Sequence, residues 1–297
     1  LDESLQSQRP VAIMVDNEKT ALLHYGLTQA DIVYEMMNST ANGEITRFMA
    51  LFKDYESVDQ IGSIRSVRPT NVILSAEWNA ILCHDGGPFY IDEYLAEPST
   101  NNFSGTFSRV NNGKPREYTE YICSGDMEKN FSNSKVDKEY NSYYEGEHWQ
   151  FASESNPVDL SGVSDAVDAK LVDLPFPHNG SWLDYDEEDQ LYYYSEYGKA
   201  HVDPGNDNEQ LSFKNLLIQS CGFQQYDEHG YMIFNCIGSG GGYYITNGKA
   251  IPVTWEKTSM PSPTRYFDAE GNEITLNTGK TYVAFVPVDD WPDLVIE

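Results

Sequence analysis

The stretch Gly62–Gly87, GSIRSVRPTNVILSAEWNAILCHDGG, constrains the fold most, because a cationic loop, a helix, a buried strand and a polar turn follow one another without a gap. Pro69 suits the first helical position, where φ is preset and a missing N–H leaves nothing unpaired, and Arg68 before it is pushed to extended geometry. The spacing predicts a helix starting near Pro69, with Val72, Ile73, Ala76 and Trp78 as its apolar stripe. Ala80–Cys83 is then an apolar run of buried-strand length, ending at His84-Asp85-Gly86-Gly87.

Arg65 and Arg68 stand just ahead of that helix, where free N–H groups and the macrodipole favour an anion. Two readings fit them. Their guanidinium forks bind a carboxylate or phosphate bidentately, or they pair internally with some of the 47 acidic residues.

Around this stretch, Val11–Val15 reads as a central strand that delivers Asp16 and Asn17 at its end, and Leu27–Asp31 reads as a short helical turn. Ile32–Met37 and Ile45–Lys53 form a hairpin about the turn dipeptide Asn42-Gly43. Its arms carry Glu35 and Arg47, either as a cross-strand ion pair or as the wall of a polar pocket that includes Arg65 and Arg68. Pro88 opens a second short helix through Ala96, and residues 97–157 read as irregular excursions with one short helix. From Ala169 onward, strand-like runs alternate with turn signals. The fold class is therefore α/β (α+β): an N-terminal mixed-sheet α/β part over 9–150, packed with a C-terminal antiparallel β-rich part over 169–297. Residues 1–8 are polar, structureless in pattern and read as a tether.

Nineteen basic against 47 acidic residues, net −28, disfavour a nucleic-acid partner, which needs basic surface. The content of 40% hydrophobic and 13% aromatic residues suffices for a core, so wholesale disorder is excluded. No run is long and apolar enough for a membrane-crossing helix. The four cysteines include no C-x-x-C pair and the six histidines no H-E-x-x-H, so no metal and no cofactor is expected. Phe213–Cys221 is expected to pair with Tyr231–Ile237 around Asp227–Gly230. A symmetric register sets Cys221 opposite Cys236 and allows a disulfide, whereas a three-residue loop separates them. Gly238–Gly242 with Gly248-Lys249 is not a phosphate loop, since strands flank it and Ala250 stands where Ser or Thr would hold magnesium; it reads as a glycine-rich bulge. Asp184–Asp189 lacks the EF-hand glycine and reads as a solvated turn. His84, at a strand end, and His201, in Gly198-x-x-His201-x-Asp203, are each either hydrogen-bonded structural residues or site residues.

Gly62-x-x-Arg65-Ser66-x-Arg68-Pro69 followed by His84-x-Gly86-Gly87 resembles the YerB-like bacterial lipoprotein family, a family of unknown function with N-terminal and C-terminal parts. Arg9-Pro10 through Asp16-Asn17, Ala30-Asp31 through Tyr34-Glu35, Gly43 through Phe48, Trp182 through Asp186 and Gly198 through Asp203 carry the same resemblance over nearly the whole chain. It implies an export signal and a lipidated cysteine upstream, hence attachment to the membrane through an N-terminal lipid anchor at the extracellular face of the bacterial cell membrane. The family's Pro-His-Asn-Leu-Tyr-like motif is replaced here by Lys114-Pro115-Arg116-Glu117-Tyr118-Thr119, so its histidine is missing.

Two function classes follow. One is an extracytoplasmic binding or accessory module whose pocket, built from Asp16, Asn17, Glu35, Arg47, Arg65, Arg68 and His84, takes a small anionic or glycan ligand or meets another envelope protein. The other is a hydrolase or transferase of envelope polymers, with His84 as general base, Asp16 or Glu35 as partner acid and the arginines stabilising developing charge. Binding is favoured, because no nucleophile and base come paired by motif.

Overall fold

A computed structural model describes residues 3–41 and 43–297, without the side chain of Ser4. Asn42 of the expected turn lies outside the described residues. Strand Val11–Asp16, buried at every position, pairs antiparallel with Thr46–Phe52 and parallel with Ile81–His84. The helix Pro69–Glu77 makes that parallel crossover, as its position in the sequence predicts. Ile32–Met37 lies antiparallel to Thr46–Phe52 on its other side.

The sheet then continues into the other half of the chain. Ile32–Met37 pairs parallel with Thr281–Pro287, which pairs parallel with Asn215–Cys221; Gly238–Thr246 and Lys249–Lys257 follow antiparallel. The two sequence halves thus share one sheet, of eleven strands among the described residues. The C-terminal half is accordingly antiparallel except at the Thr281–Pro287 strand, where it docks, and at the two-residue strand Thr275–Leu276, which pairs parallel with Gln150–Phe151. A second sheet, in which Trp182–Asp186 and Leu191–Glu196 form the central hairpin, packs on one face of the first.

Registers assign the faces. Glu35 is opposite Phe48, so both point one way, while Met36 is opposite Arg47 and Arg47 is opposite Asp16, all pointing the other way. Helix Pro69–Glu77 covers the Arg47 face, where Tyr34 donates to Glu77 at 3.1 Å and Asn71 meets Met36. The second sheet covers the Glu35 face, where Phe48 packs edge-on against Tyr194.

The helix differs from a one-sided amphipathic element: every residue from Pro69 to Glu77 is buried. Its start matches the sequence, with Asn71 Oδ1 accepting the Arg68 N–H at 3.1 Å. It ends at Trp78, after which Asn79 turns left-handed at φ 51° and Arg9, fully buried, donates to the Asn79 carbonyl at 2.7 Å. The second helix is shorter than expected, Ile91–Leu95, and Asp126–Ser132 is a short helix within 97–157.

Three expectations need correction. The opening is pinned, not structureless: Glu3–Leu5 makes a 3-10 turn and Gln8 bridges to Glu139 and donates to the Lys53 carbonyl at 2.7 Å. Asn215–Cys221 does not pair with Tyr231–Ile237; it enters the large sheet, and the hairpin shrinks to Phe223–Gln225 against Met232–Phe234. That hairpin keeps the symmetric register, Phe223 opposite Phe234, yet Cys221 and Cys236 are buried free thiols. Finally, Gly238–Thr246 holds an unbroken register with Lys249–Lys257, so no bulge exists. Its glycines are there for space: a Cβ on Gly240 would sit 2.7 Å from the Trp255 indole nitrogen and one on Gly242 2.5 Å from the Ile218 carbonyl. The Asp184–Asp189 turn is as expected, with Asp186 Oδ1 accepting the N–H groups of Glu188 and Asp189.

The helix is locked to the C-terminal half by an ion pair with side chains 0% and 1% exposed: Lys257 Nζ reaches Glu77 Oε2 at 2.8 Å, and Thr264 donates to the same oxygen at 2.7 Å. Lys257→Met leaves the Glu77 charge buried and uncompensated, at an expected cost of about 3–5 kcal/mol in urea unfolding. Adding Glu77→Gln should recover most of that loss; a double variant as unstable as the single would show that packing, not charge, is what Lys257 supplies.

Candidate functional site

The arginine loop is a wedge. Ser63–Val67 enters between the carboxyl end of Val11–Asp16 and the turn after Ile81–His84: Asp16 N–H donates to the Ser63 carbonyl, Arg65 N–H to Met14, Asp85 N–H to Arg65, and Val67 N–H to Gly86. In an open α/β sheet this crevice beyond the carboxyl ends of the parallel strands is the usual place for a ligand.

Three arginines meet there. Arg65 Nε lies 2.6 Å from Asp16 Oδ2, and its NH2 is 2.7 Å from Glu117. Arg47 NH1 donates to the Ser66 carbonyl at 2.8 Å and to Asn38 Oδ1 at 3.2 Å, with its NH2 3.9 Å from Asp16. Arg68 donates to the Val67 carbonyl at 2.9 Å, and its guanidinium stands 3.9 Å from the centre of the Tyr231 ring. Ser66 Oγ, on a half-buried residue, lies 3.4 Å from Arg47 NH1 and 3.5 Å from Arg68 NH1.

The charges do not cancel. Asp16, 2% exposed, is already engaged by Arg65, and among the described residues Arg68 has no carboxylate within ion-pair distance. Arg47 and Arg68 are each 6% exposed, and the Nε atoms of both are buried without a hydrogen-bond acceptor. Burial, with the neighbouring Arg68 and Arg65 charges, lowers Arg47 to about 9 against the pull of Asp16. Burial also lowers Arg68. Arg65 is the contrary case: burial opposes its charge, but Asp16 and Glu117 hold its pKa above the ordinary value.

The helix N-terminus adds less than the sequence suggests. Asn71 and Val72 N–H groups both turn to the Arg68 carbonyl, and Thr70 Oγ1 accepts the Phe234 N–H, so the first turn is covered by the C-terminal half. The focus of charge is therefore the guanidinium set and not the macrodipole.

Glu35 and Asn17 lie on the opposite face of the sheet. The expected Glu35–Arg47 pair does not form, because a one-residue offset in the hairpin register sends the two side chains to opposite faces. Glu35, fully buried, accepts from Thr46 (2.7 Å), Asn179 (2.8 Å) and Asn17 (3.4 Å) on one oxygen and from Tyr282 (2.6 Å) and Tyr194 (2.9 Å) on the other. His84 is also occupied: its Nδ1 meets the Gly86 carbonyl at 2.8 Å and its Nε2 meets Asn102 Oδ1 at 3.2 Å, and burial lowers its pKa. The three candidate catalytic residues are not assembled: Asp16 is paired with Arg65, His84 has both ring nitrogens bonded, and Glu35 is across the sheet.

A second polar cluster, seen in the sequence only as the His201 motif, adjoins Glu35. His201 Nδ1 meets Glu196 Oε1 at 2.8 Å, its Nε2 meets His24 Nδ1 at 3.3 Å, and His24 Nε2 meets the Asp16 carbonyl at 2.5 Å. Asn179 joins Glu196 to Glu35. His24, Glu196 and His201 offer ligand atoms within 4.8 Å of one another, the arrangement most able to hold a metal among the described residues. Each ring nitrogen already has a partner, however, so the hydrogen-bond chain is complete without an ion. His24 was not legible because Glu18–Gly26 has no periodicity, and Glu196 because nothing marks a buried acid in a strand.

Burial, then the nearby Glu196 charge, raises Glu35 to about 7 against the hydrogen bonds of Tyr282, Thr46 and Asn179. A raised carboxylate keeps its proton in the folded state where the unfolded chain has lost it. Its stabilisation is full below the unfolded value near 4.5 and disappears as pH rises through about 7. The wild-type protein should lose on the order of 2 kcal/mol more stability between pH 5 and 8 than Glu35→Gln does in urea titrations. Parallel pH profiles for the two would refute this origin.

Family models match both halves of the chain: the N-terminal domain of a protein of unknown function (DUF3048) over residues 1–140 and its C-terminal domain over 172–283. The chain is 24% identical, over 99% of its length and 83% of the relative's, to a protein of Bacillus subtilis (strain 168) named "Putative lipoprotein YerB". The crystal structure of YerB protein from Bacillus subtilis superimposes with a TM-score of 0.83 at 21% identity, covering 100% of this chain and 96% of that one. With both of its domains present in order and the fold shared throughout, the chain belongs to the YerB-like DUF3048 family.

Proposed function

We propose that the protein is an extracytoplasmic, lipoprotein-type binding or accessory module that takes a small anionic ligand at Ser66, between Arg47, Arg65 and Arg68. The observation that carries this reading is the incompletely compensated pair of buried guanidiniums: Arg47, which shares Asp16 with Arg65, and Arg68, each 6% exposed, converge on a half-buried serine with buried Nε atoms unpartnered. Three positive charges have two carboxylates within ion-pair distance, Asp16 and Glu117, with Asp227 acting on Arg68 from farther away, in a chain of net charge −28. A bound carboxylate or phosphate supplies the missing charge and the missing acceptors at once. The YerB relative's name places that protein among lipoproteins, which supports an exported, lipid-anchored setting.

Titrating inorganic phosphate into the protein while following thermal unfolding tests this. Saturation at about 100 times the dissociation constant should stabilise the wild type by about 2.7 kcal/mol. Arg68→Gln should abolish the response while leaving the unliganded protein as stable or more so, because a buried charge without a carboxylate partner is removed. A large loss of stability together with an intact phosphate response would make Arg68 a scaffold residue and overturn the reading.

A further inference from the structure

Beside the arginines the surface is aromatic to a degree the fold does not need. Phe89 is 84% exposed and Tyr226 is 48% exposed. They are brought together by two separate elements, the Gly86-Gly87-Pro88 turn and the Phe223–Phe234 hairpin. Phe89 packs edge-on to Tyr90 with ring centres 5.1 Å apart, and Tyr90 lies 3.7 Å from Tyr226, centre to centre. The band reaches the charged site through Tyr231, over which Arg68 stands at 3.9 Å. Tyr90 and the Asp227 carboxylate also lie near the Arg68 guanidinium.

A groove of about 360 Å³ opens along the same turn, and its lining includes His84, Gly86, Phe89, Ile91, Asp92 and Leu95. It lies within the size range of small-ligand sites, and Phe89 stands at its rim. Phe89 and Tyr226 together, rather than one exposed ring, form an apolar patch bordered by charge, the arrangement that marks an interaction surface.

Charge selects the occupant. A purely apolar partner would ignore Arg68, and a polyanion would be repelled by a chain of net charge −28. The chemistry that fits exposed rings next to a small positive focus is a saccharide of at least two rings carrying one acid group: because Phe89 stands edge-on to the Tyr90–Tyr226 pair, one sugar face lies on Phe89 and another on Tyr226, and the carboxylate goes to the arginines. We propose that the ligand of the arginine site is a monoacidic saccharide and that Phe89 and Tyr226 are its stacking residues. This rests on the anion site at Ser66.

Calorimetric titration of the full chain with three probes tests it: inorganic phosphate, the uncharged disaccharide N,N′-diacetylchitobiose, and the monoacidic disaccharide N-acetylglucosaminyl-N-acetylmuramic acid. The acidic disaccharide should bind at least about tenfold more tightly than either other probe. Phe89→Ala with Tyr226→Ala, both at exposed positions, should remove that advantage and leave phosphate affinity unchanged. If phosphate binds and the acidic disaccharide binds no better, or if the double variant keeps the advantage, the saccharide assignment is overturned and the anion site stands. If the wild type binds neither phosphate nor the acidic disaccharide, the anion site itself fails and the saccharide assignment with it.

Discussion

The parallel pairing of Ile32–Met37 with Thr281–Pro287 is the constraint on which the rest depends. It joins strands from the two ends of the chain in register from Ile32–Thr281 to Met36–Phe285, and turns what would be two exposed sheet edges into the middle of one sheet. With that edge closed, Glu35 can be enclosed by donors from both halves: Thr46 and Asn17 from one, Asn179, Tyr194 and Tyr282 from the other. A buried carboxyl in such a place is tolerable because every lone pair is met, and it penalises any register but this one. The Lys257–Glu77 pair does the same on the opposite face, tying the crossover helix to the C-terminal half.

The sheet also sorts charge. Its hairpin register sends Glu35 to one face and Arg47 to the other, so a cluster of carboxyls and imidazoles and a cluster of guanidiniums lie on opposite faces of the sheet. On the Glu35 face, carboxyls, imidazoles and phenols satisfy one another: His201 holds Glu196 below the ordinary carboxylate range although burial would raise it, and burial beside His201 drives His24 down to about 3. On the Arg47 face the balance is incomplete, because Asp16 is shared between two arginines and Arg68 has an aromatic ring as its neighbour. A closed network rigidifies, whereas an open one leaves charge and donors unmatched. That difference, and not the presence of charged residues as such, distinguishes the two faces.

Much of this was legible in the sequence, and what was missed has a common cause. Local chemistry marks Pro69 as a helix start and Ile81–His84 as a buried strand, because each depends on residues a few positions apart. Residues whose roles depend on distant pairing are not legible locally. Hairpin arms suggest that Glu35 and Arg47 meet, whereas a single residue of register decides the face and a turn sequence containing Asn42-Gly43 does not fix it. Asn215–Cys221 was paired with its nearest strand-like neighbour, while the parallel partner that claims it lies more than sixty residues away, as Asn215 opposite Thr281 shows. Phe89 gave no signal at all, since exposure is a property of the assembled surface.

The location of the arginine cluster inside a strongly acidic protein follows from range as well as sign. At physiological ionic strength the field of a surface charge fades over about 8 Å, so the many exposed carboxylates act on what approaches and hardly on what has arrived in a crevice. Buried guanidiniums are screened far less, and their attraction is concentrated where Ser66 meets solvent. A chain or surface of many negative charges must cross the acidic exterior with all of them, whereas a molecule with one acid group crosses with one. In the proposed reading the outer charge filters what approaches by valence and the inner charge is the receptor, so a single anionic group on an otherwise uncharged body is the ligand that satisfies both.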